Sequence, residues 1–156
     1  MDFKDIEILS CNSFFGSNLI AHFLSGSDNY QVRTEFIYLL LPFVFKKDAR
    51  EILANSKSTS TLNTAFLSGI EGKIALGGLE KRLEYFRSTT QSSLIVASKK
   101  FGISIDEYLK IENPVDYKKE GELYLREFFK ASHYLGKILS KSELIDTFIK
   151  LGLKQI

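Results

Sequence analysis

The sequence predicts a mainly α-helical fold with one small β-hairpin, an α+β domain whose helices and hairpin have a winged-helix-like arrangement. Apolar residues recur at helical spacing along most of the chain, and alternation replaces that spacing only after Gly102. No internal repeat and no long linker interrupts the pattern, so we expect a single domain over residues 1–156. With 44% apolar and 26% charged residues, a chain of this length buries roughly 70% of its unfolded surface.

The first predicted helix begins at Asn12 and Ser13, which are favourable N-cap residues, and ends at Gly26. A second helix is predicted from about Val32, and because the side chains of residues 36–41 are apolar on every side, this helix is expected to be buried all round. Pro42 lacks the N–H of a helical hydrogen bond and therefore predicts a kink or a restart of the helix.

The middle of the chain predicts a loop followed by a long helix. Residues 54–64 are rich in Ser, Thr and Asn, which favours a loop or a mobile hinge. The glycines within residues 66–78 indicate tight turns or a short helix between turns. Residues 79–101 carry a helical apolar stripe, which forms either one helix or two helices that meet at residues 88–90.

The last third of the chain predicts a hairpin and two further helices. Ile103 and Ile105 alternate with polar residues ahead of a polar tip, which predicts a short hairpin with both isoleucines inward. The following helix has one apolar face, formed by Tyr124, Phe128, Ala131, Leu135 and Ile138. Ser140 and Glu143 have the spacing of a capping box for a final helix, which Gly152 is expected to end.

Charge and cysteine content exclude several classes of protein. The formal net charge of +2 gives no field strong enough for a general polyanion binder, so any basic function must be local. The single cysteine, Cys11, cannot form an internal disulfide, which favours a reducing compartment and a cytoplasmic location. The N-terminus has no signal-peptide pattern, and the longest apolar run, residues 36–45, is too short to cross a bilayer. We expect no membrane role.

Motifs for catalysis or metal binding fail on spacing. Residues 69–74 superficially resemble a phosphate loop, but they lack two of the four residues between the glycines and the Ser or Thr after the lysine. His22 and His133 lie too far apart for a helical zinc motif, and Cys11 has no local feature that would activate its thiol. We therefore expect no enzymatic activity, no cofactor and no metal.

Two charged surfaces stand out. The first, which we name the charged turn, is a candidate partner-binding site with the members Pro42, Lys46, Lys47, Arg50 and Glu51. The second, which we name the basic ridge, follows one face of the predicted C-terminal helix and contains Arg126, Lys130, His133, Lys137 and Lys141. The ridge could bind phosphates or an acidic partner. The alternatives are a surface turn with weak ion pairs and a solvated helix face.

The same charged turn begins a resemblance to a known family. Residues 39–53, with their Leu-Pro-apolar run, Lys pair and Arg-Glu-apolar-Leu segment, resemble the middle components of bacterial three-component ABC ATPase systems. Residues 12–16 are similar to the opening Asn-Pro-Ala-Phe motif of that family. Residues 131–139 resemble its C-terminal Phe-Leu-Gly helix, and residues 151–153 resemble its Leu-Leu-Gly ending. The motifs follow in the expected order along nearly the whole chain.

This resemblance implies a non-catalytic accessory subunit that links an SMC/Rad50-like ATPase to an effector, often a nuclease, in anti-phage or anti-plasmid defence. Lamassu systems are the best-known group, and the chain resembles their accessory subunit. It departs from the family pattern at Ser13, where proline is usual, and at Lys46, where histidine is common. These departures concern the detail of the partner contact.

The implied role assigns a task to each charged surface. The charged turn is expected to dock the ATPase or the effector, and the basic ridge to touch DNA or the coiled-coil root of the ATPase. Arg50→Glu should then abolish co-purification with the partner without lowering the melting temperature. A free-standing winged-helix DNA-binding regulator is the alternative from a different class, and a small enzyme is a third.

Overall fold

In a computed structural model of the chain, the described residues are 8–154. The helices of this part are α1 Ser13–Gly26, α2 Ile37–Val44, α3 Lys47–Ala54, α4 Ile70–Ala75, α5 Leu79–Phe101, α6 Leu123–Ser140 and α7 Leu144–Lys150. The strands are β1 Gln31–Arg33, β2 Ile103–Ile105 and β3 Tyr108–Ile111, which form an antiparallel sheet in the order β1-β3-β2. The predicted α+β class is confirmed. No helix of residues 8–154 has both the length and the apolar character that crossing a membrane requires.

Helix α1 begins where the sequence predicts. Asn12 Oδ1 accepts hydrogen bonds from the backbone N–H groups of Phe14 and Phe15, at 2.9 and 3.1 Å. Ser13 is therefore the first helical residue, a position that proline also fits because the N–H there needs no helical partner. Asn12 has an extended backbone at φ −95° and ψ 111°, as a residue before proline requires. Ser13, at the position where the similar family usually has proline, thus leaves the start of the helix unchanged.

Helix α1 lies at the centre of the fold and crosses α6 closely at two glycines. A Cβ on Gly26 would overlap the carbonyl oxygen of His133 and lie 2.6 Å from its carbonyl carbon. A Cβ on Gly136 would overlap the carbonyl oxygen of Phe23 in the same way and lie 2.8 Å from its carbonyl carbon. Since real Cβ atoms do not approach backbone atoms so closely, the crossing requires glycine at both positions.

The interruption predicted at Pro42 occurs slightly later in the chain. Helix α2 continues through Pro42 to Val44, and every residue of it except Tyr38 is buried, which confirms a helix buried on nearly all sides. Lys46 then has an extended backbone and serves as the N-cap residue of α3. The chain therefore restarts as a new helix, with its first residue at Lys47.

Helix α5 is a single helix of 23 residues, so it is not divided at residues 88–90. The hydroxyl groups of Ser92 and Ser98 donate to the carbonyls of Thr89 and Ile95 within the same helix, at 3.1 and 2.8 Å. These side chains therefore bond to the helix without ending it. Gly102, with φ +68°, ends the helix in the left-handed conformation and leads into the hairpin.

The predicted hairpin is confirmed as β2 and β3, but the sheet has a third strand, β1, at the position near Val32 where the second helix was predicted to begin. That predicted start is wrong, since the helix begins at Ile37. β1 pairs with β3 with Val32 opposite Leu109, and both side chains are buried. Ile103 is buried as predicted, whereas the prediction that Ile105 points inward is wrong, since its side chain is exposed. Ile105 is the last residue of β2 and lies opposite Leu109, but unlike Leu109 it is not buried. The winged-helix-like arrangement stays a prediction.

The last helix begins differently from the predicted capping box. Glu143 itself is the N-cap residue, and its carboxylate accepts from the N–H groups of Ile145 and Asp146 at 3.2 and 2.7 Å. Ser140 Oγ instead accepts from the backbone N–H of Asp28 at 3.0 Å, which ties α6 to the end of α1. Gly152, with φ +71°, ends the helix as predicted.

Candidate functional site

The five residues of the charged turn do not share one surface. Pro42 and Arg50 are buried, Lys46 is half-buried, and Lys47 and Glu51 are exposed. Lys47 Nζ lies 4.0 Å from Glu51 Oε1, an exposed pair one helical turn apart that contributes about 0.5 kcal/mol or less. Partner docking through this turn stays a prediction, and it concerns only the exposed members.

Arg50 is a structural residue inside the fold, with 7% of its surface exposed. Its Nε donates to Glu127 Oε1 at 2.9 Å, and its Nη1 donates to the carbonyl oxygen of Val44 at 3.0 Å. The guanidinium lies 4.2 Å from the centre of the Phe128 ring, within the range of a cation–π interaction. Arg50 was expected to contact a partner, but its guanidinium is enclosed between α3 and α6, where it bonds to Glu127. Substitution here is therefore expected to lower stability.

Two members of the basic ridge are held by the chain itself. Lys137 Nζ forms an ion pair with Asp28 Oδ1 at 2.6 Å. Lys141 Nζ donates to the carbonyl oxygens of Ser58 and Ser60, the second at 3.3 Å. Ser58 and Ser60 belong to the predicted loop, which is confirmed over residues 55–61, whereas residues 54 and 62–64 are helical. The mobility of the loop stays a prediction. Lys141 thus ties this loop to the end of α6.

The other members of the ridge are also partly enclosed. Arg126 Nε donates to the carbonyl oxygen of Glu120 at 2.8 Å. Lys130 is half-buried and makes no ion pair within residues 8–154. The His133 ring packs edge-on against Tyr117, with centroids 5.0 Å apart. The ridge is therefore not a row of free cations, and its contact with DNA stays a prediction.

The two histidines line one cavity of about 630 Å³ between α1, α6 and the segment that joins β3 to α6. The His22 ring stacks on Phe129 at 4.3 Å and an interplanar angle of 15°. The Nδ1 atoms of His22 and His133 are buried without a hydrogen-bond partner in the described part of the chain. Burial lowers the pKa of His22 to about 4, with a smaller contribution from nearby His133 and an opposing one from Asp116. Burial also lowers the pKa of His133, helped by the charge of Lys137.

These buried histidines predict that the protein loses stability in mild acid. In the unfolded chain His22 takes up a proton near pH 6.5, whereas the folded protein resists protonation down to about pH 4. The contribution of His22 is therefore fully present above pH 6.5, and about 3 kcal/mol is lost as the pH falls towards 4. His133 acts in the same direction.

Urea unfolding between pH 7.5 and 4.5 measures this loss. His22→Phe retains a ring against Phe129 and removes the titrating group, so its free energy of unfolding should fall less steeply with acid than that of the wild-type chain. Equal pH dependence in the two proteins would contradict the assignment.

A second concave surface, which we name the acidic groove, lies between α3 and α4 and has a volume of about 790 Å³. Its lining includes the carboxylates of Asp48, Glu51 and Glu71, together with Ile52 and Ile74. The lining residues, all of them in the described ranges, include neither lysine nor arginine. The groove is therefore negative and partly apolar. The sequence places Asp48 and Glu51 in the charged segment that follows Pro42, but it gives no sign that Glu71 joins them.

Close packing holds α4 in place at the edge of this groove. Phe66, in the π-helical turn Asn63–Leu67, packs edge-on against Phe43 of the core with ring centroids 5.1 Å apart. A Cβ on Gly72 of α4 would lie 2.6 Å from the carbonyl carbon of Phe66, so glycine is needed for this contact. As a result α4 presents Ile70 outward, with 78% of its surface exposed. The short helix predicted among the glycines is thus confirmed, and its exposed apolar face is new.

No group of three or more His, Cys, Asp or Glu residues within 8–154 is arranged to hold a metal ion. Among families of known proteins, the model of ABC-three component (ABC-3C) system Middle Component 3 matches residues 2–155. No curated protein and no solved structure matches the chain.

Proposed function

This chain belongs to the Middle Component 3 family of ABC-three component systems, and on that basis we propose that it is a non-catalytic subunit linking an SMC-like ATPase to an effector. A middle component of such a system implies partner subunits such as an ABC ATPase. The finer assignments belong to the proposal: an effector that is a nuclease, a system of the Lamassu type, a cytoplasmic complex, and a role in defence against phage or plasmids.

The observation that carries this proposal is that two helices, α4 and α7, each have a pair of exposed apolar side chains. Ile70 and Ile74 lie one helical turn apart on α4, next to the acidic groove, and both are exposed. Ile145 and Ile149 form a second exposed pair with the same spacing on α7. Exposed apolar side chains that neighbour one another on a helix favour contact with another protein. Two such surfaces on different helices suit a subunit that holds two partners.

Contact with DNA is a weaker part of the proposal. Lys137 and Lys141 would have to leave Asp28 and the loop carbonyls before they could neutralise phosphates. This internal use of the ridge also gives less support to the alternative of a free-standing DNA-binding regulator.

Co-expression with the products of the neighbouring genes tests the linking role. With a tag on the ATPase, the effector should co-purify when this chain is present and should be lost when it is omitted. A complex of ATPase and effector that forms equally well without this chain would overturn the proposal. Turnover of nucleotide or nucleic acid by the purified chain alone would also overturn it.

A further inference from the structure

We propose that the acidic groove is the docking site for a basic amphipathic helix of a partner protein. The helix would place Lys or Arg side chains against Asp48, Glu51 and Glu71, and apolar side chains against Ile52 and Ile74. This inference rests on the proposed function, because it assigns the helix to another subunit of the same complex.

The charge of the groove is the first argument. The whole chain has a formal net charge of +2, so three carboxylates without a lining cation are a local feature and not a result of composition. Asp48 and Glu71 make no ion pair within residues 8–154, and Glu51 has only the 4.0 Å contact to exposed Lys47. A partner segment rich in Lys or Arg would supply the missing charge and gain in association rate and specificity.

The apolar part of the groove is the second argument. Ile52 and Ile74 both line the groove, and Ile70 lies one helical turn before Ile74 on α4. A helix with its side chains is about 10–12 Å across, so a groove of about 790 Å³ takes the side chains of one helix face and not the whole helix. An amphipathic helix bound through one face meets this requirement.

The side of the groove that α4 forms is held in place by packing within the chain. The contact of Gly72 with Phe66 and the packing of Phe66 on Phe43 connect α4 directly to the core. Binding therefore needs little ordering of α4, which reduces its entropic cost. Nucleic acid does not fit the site, since three carboxylates repel phosphates.

The first test uses the purified full chain and a designed helical peptide whose binding face has a row of leucines flanked by lysines. The peptide should bind with micromolar affinity at low salt, and NMR shifts should concentrate on α3 and α4. Combining Glu51→Lys with Glu71→Lys should weaken binding at least tenfold. Ile74→Ser should weaken it independently of salt.

A matched control carries the same charge change elsewhere. Glu80→Lys with Glu84→Lys alters two exposed residues of α5 outside the groove, and it should change affinity less than twofold. A version of the peptide with glutamate in place of lysine should not bind. Equal loss of affinity in both double variants, or NMR shifts centred on α7, would overturn the proposal. So would a dimer of the wild-type chain that Glu51→Lys with Glu71→Lys dissociates, because a second copy would then occupy the groove.

The co-expression assay separates this inference from the proposed function. The wild-type chain and the variant that combines Glu51→Lys with Glu71→Lys are compared in this assay. If both link the ATPase and the effector equally well, the acidic groove is not the docking site, and the linking role stands. If the wild-type chain links nothing, the proposed function fails whatever the peptide does. Loss of one partner from the groove variant alone, with an unchanged melting temperature, is the expected result.

Discussion

Gly136→Ala is expected to lower the free energy of unfolding by about 3 kcal/mol or more, and the melting temperature by roughly 6–12 °C. The new Cβ would overlap the carbonyl oxygen of Phe23 and lie 2.8 Å from both its carbonyl carbon and Ser27 Oγ. A backbone carbonyl inside a helix cannot turn away, so α1 and α6 would have to separate. Such a separation loosens the ion pair of Lys137 with Asp28 and opens the apolar contacts of the whole crossing.

Thermal unfolding of matched variants checks this expectation. Gly26→Ala should act like Gly136→Ala, since its Cβ would overlap the carbonyl oxygen of His133 on the opposite helix. Gly121→Ala, just before α6, is the control, because nothing lies within 4 Å of a Cβ there. It should be neutral or stabilising by up to about 1 kcal/mol. Melting of Gly136→Ala at the wild-type temperature would show that the helices do not cross so closely.

Helix positions could be predicted from the sequence, but the close crossing of α1 and α6 could not. The apolar spacing located both helices, although α1 is buried on most of its sides and α6 on one face. Gly136 within α6 gave no comparable signal, since glycine in a helix is by itself only a mild loss of propensity. Glycine is required at position 136 because the backbone of Phe23, more than a hundred positions earlier, lies against it. A contact between such distant residues arises only from tertiary packing.

The candidate site residues were predicted from their residue types alone. The contacts that these side chains make within the fold determine which of them are available to a partner protein. Lys137 was assigned to an outward basic ridge, yet it pairs with Asp28 on a distant segment. The groove was missed for the same reason, because Glu71 joins Asp48 only when the π-helical turn folds α4 back towards α3. Arg50 follows Ala49 and lies three residues before Leu53, both fully buried, and this position on the apolar side of α3 was the available signal of burial.

Arg50→Met is expected to lower the free energy of unfolding by about 2–4 kcal/mol. It removes the hydrogen bond to the carbonyl of Val44, an end residue of α2 whose oxygen has no helical partner. It also removes the bond to Glu127 and the contact with the Phe128 ring. The Glu127 side chain is 42% exposed and stays hydrated, so the loss is smaller than for a fully buried pair. Arg50→Glu should be worse, because it sets two carboxylates against each other.

Urea unfolding of four variants separates the contributions. Glu127→Gln keeps an oxygen acceptor for Arg50 and should lose less than about 1 kcal/mol. Arg50→Lys keeps the charge but has no planar fork to reach both Glu127 and Val44, so its loss should lie between those of Glu127→Gln and Arg50→Met. Lys47→Met, on the exposed side of the same helix, should change stability by at most about 0.5 kcal/mol. Equal effects of Lys47→Met and Arg50→Met would mean that Arg50 acts at the surface, and the charged turn would again be the first candidate for partner docking.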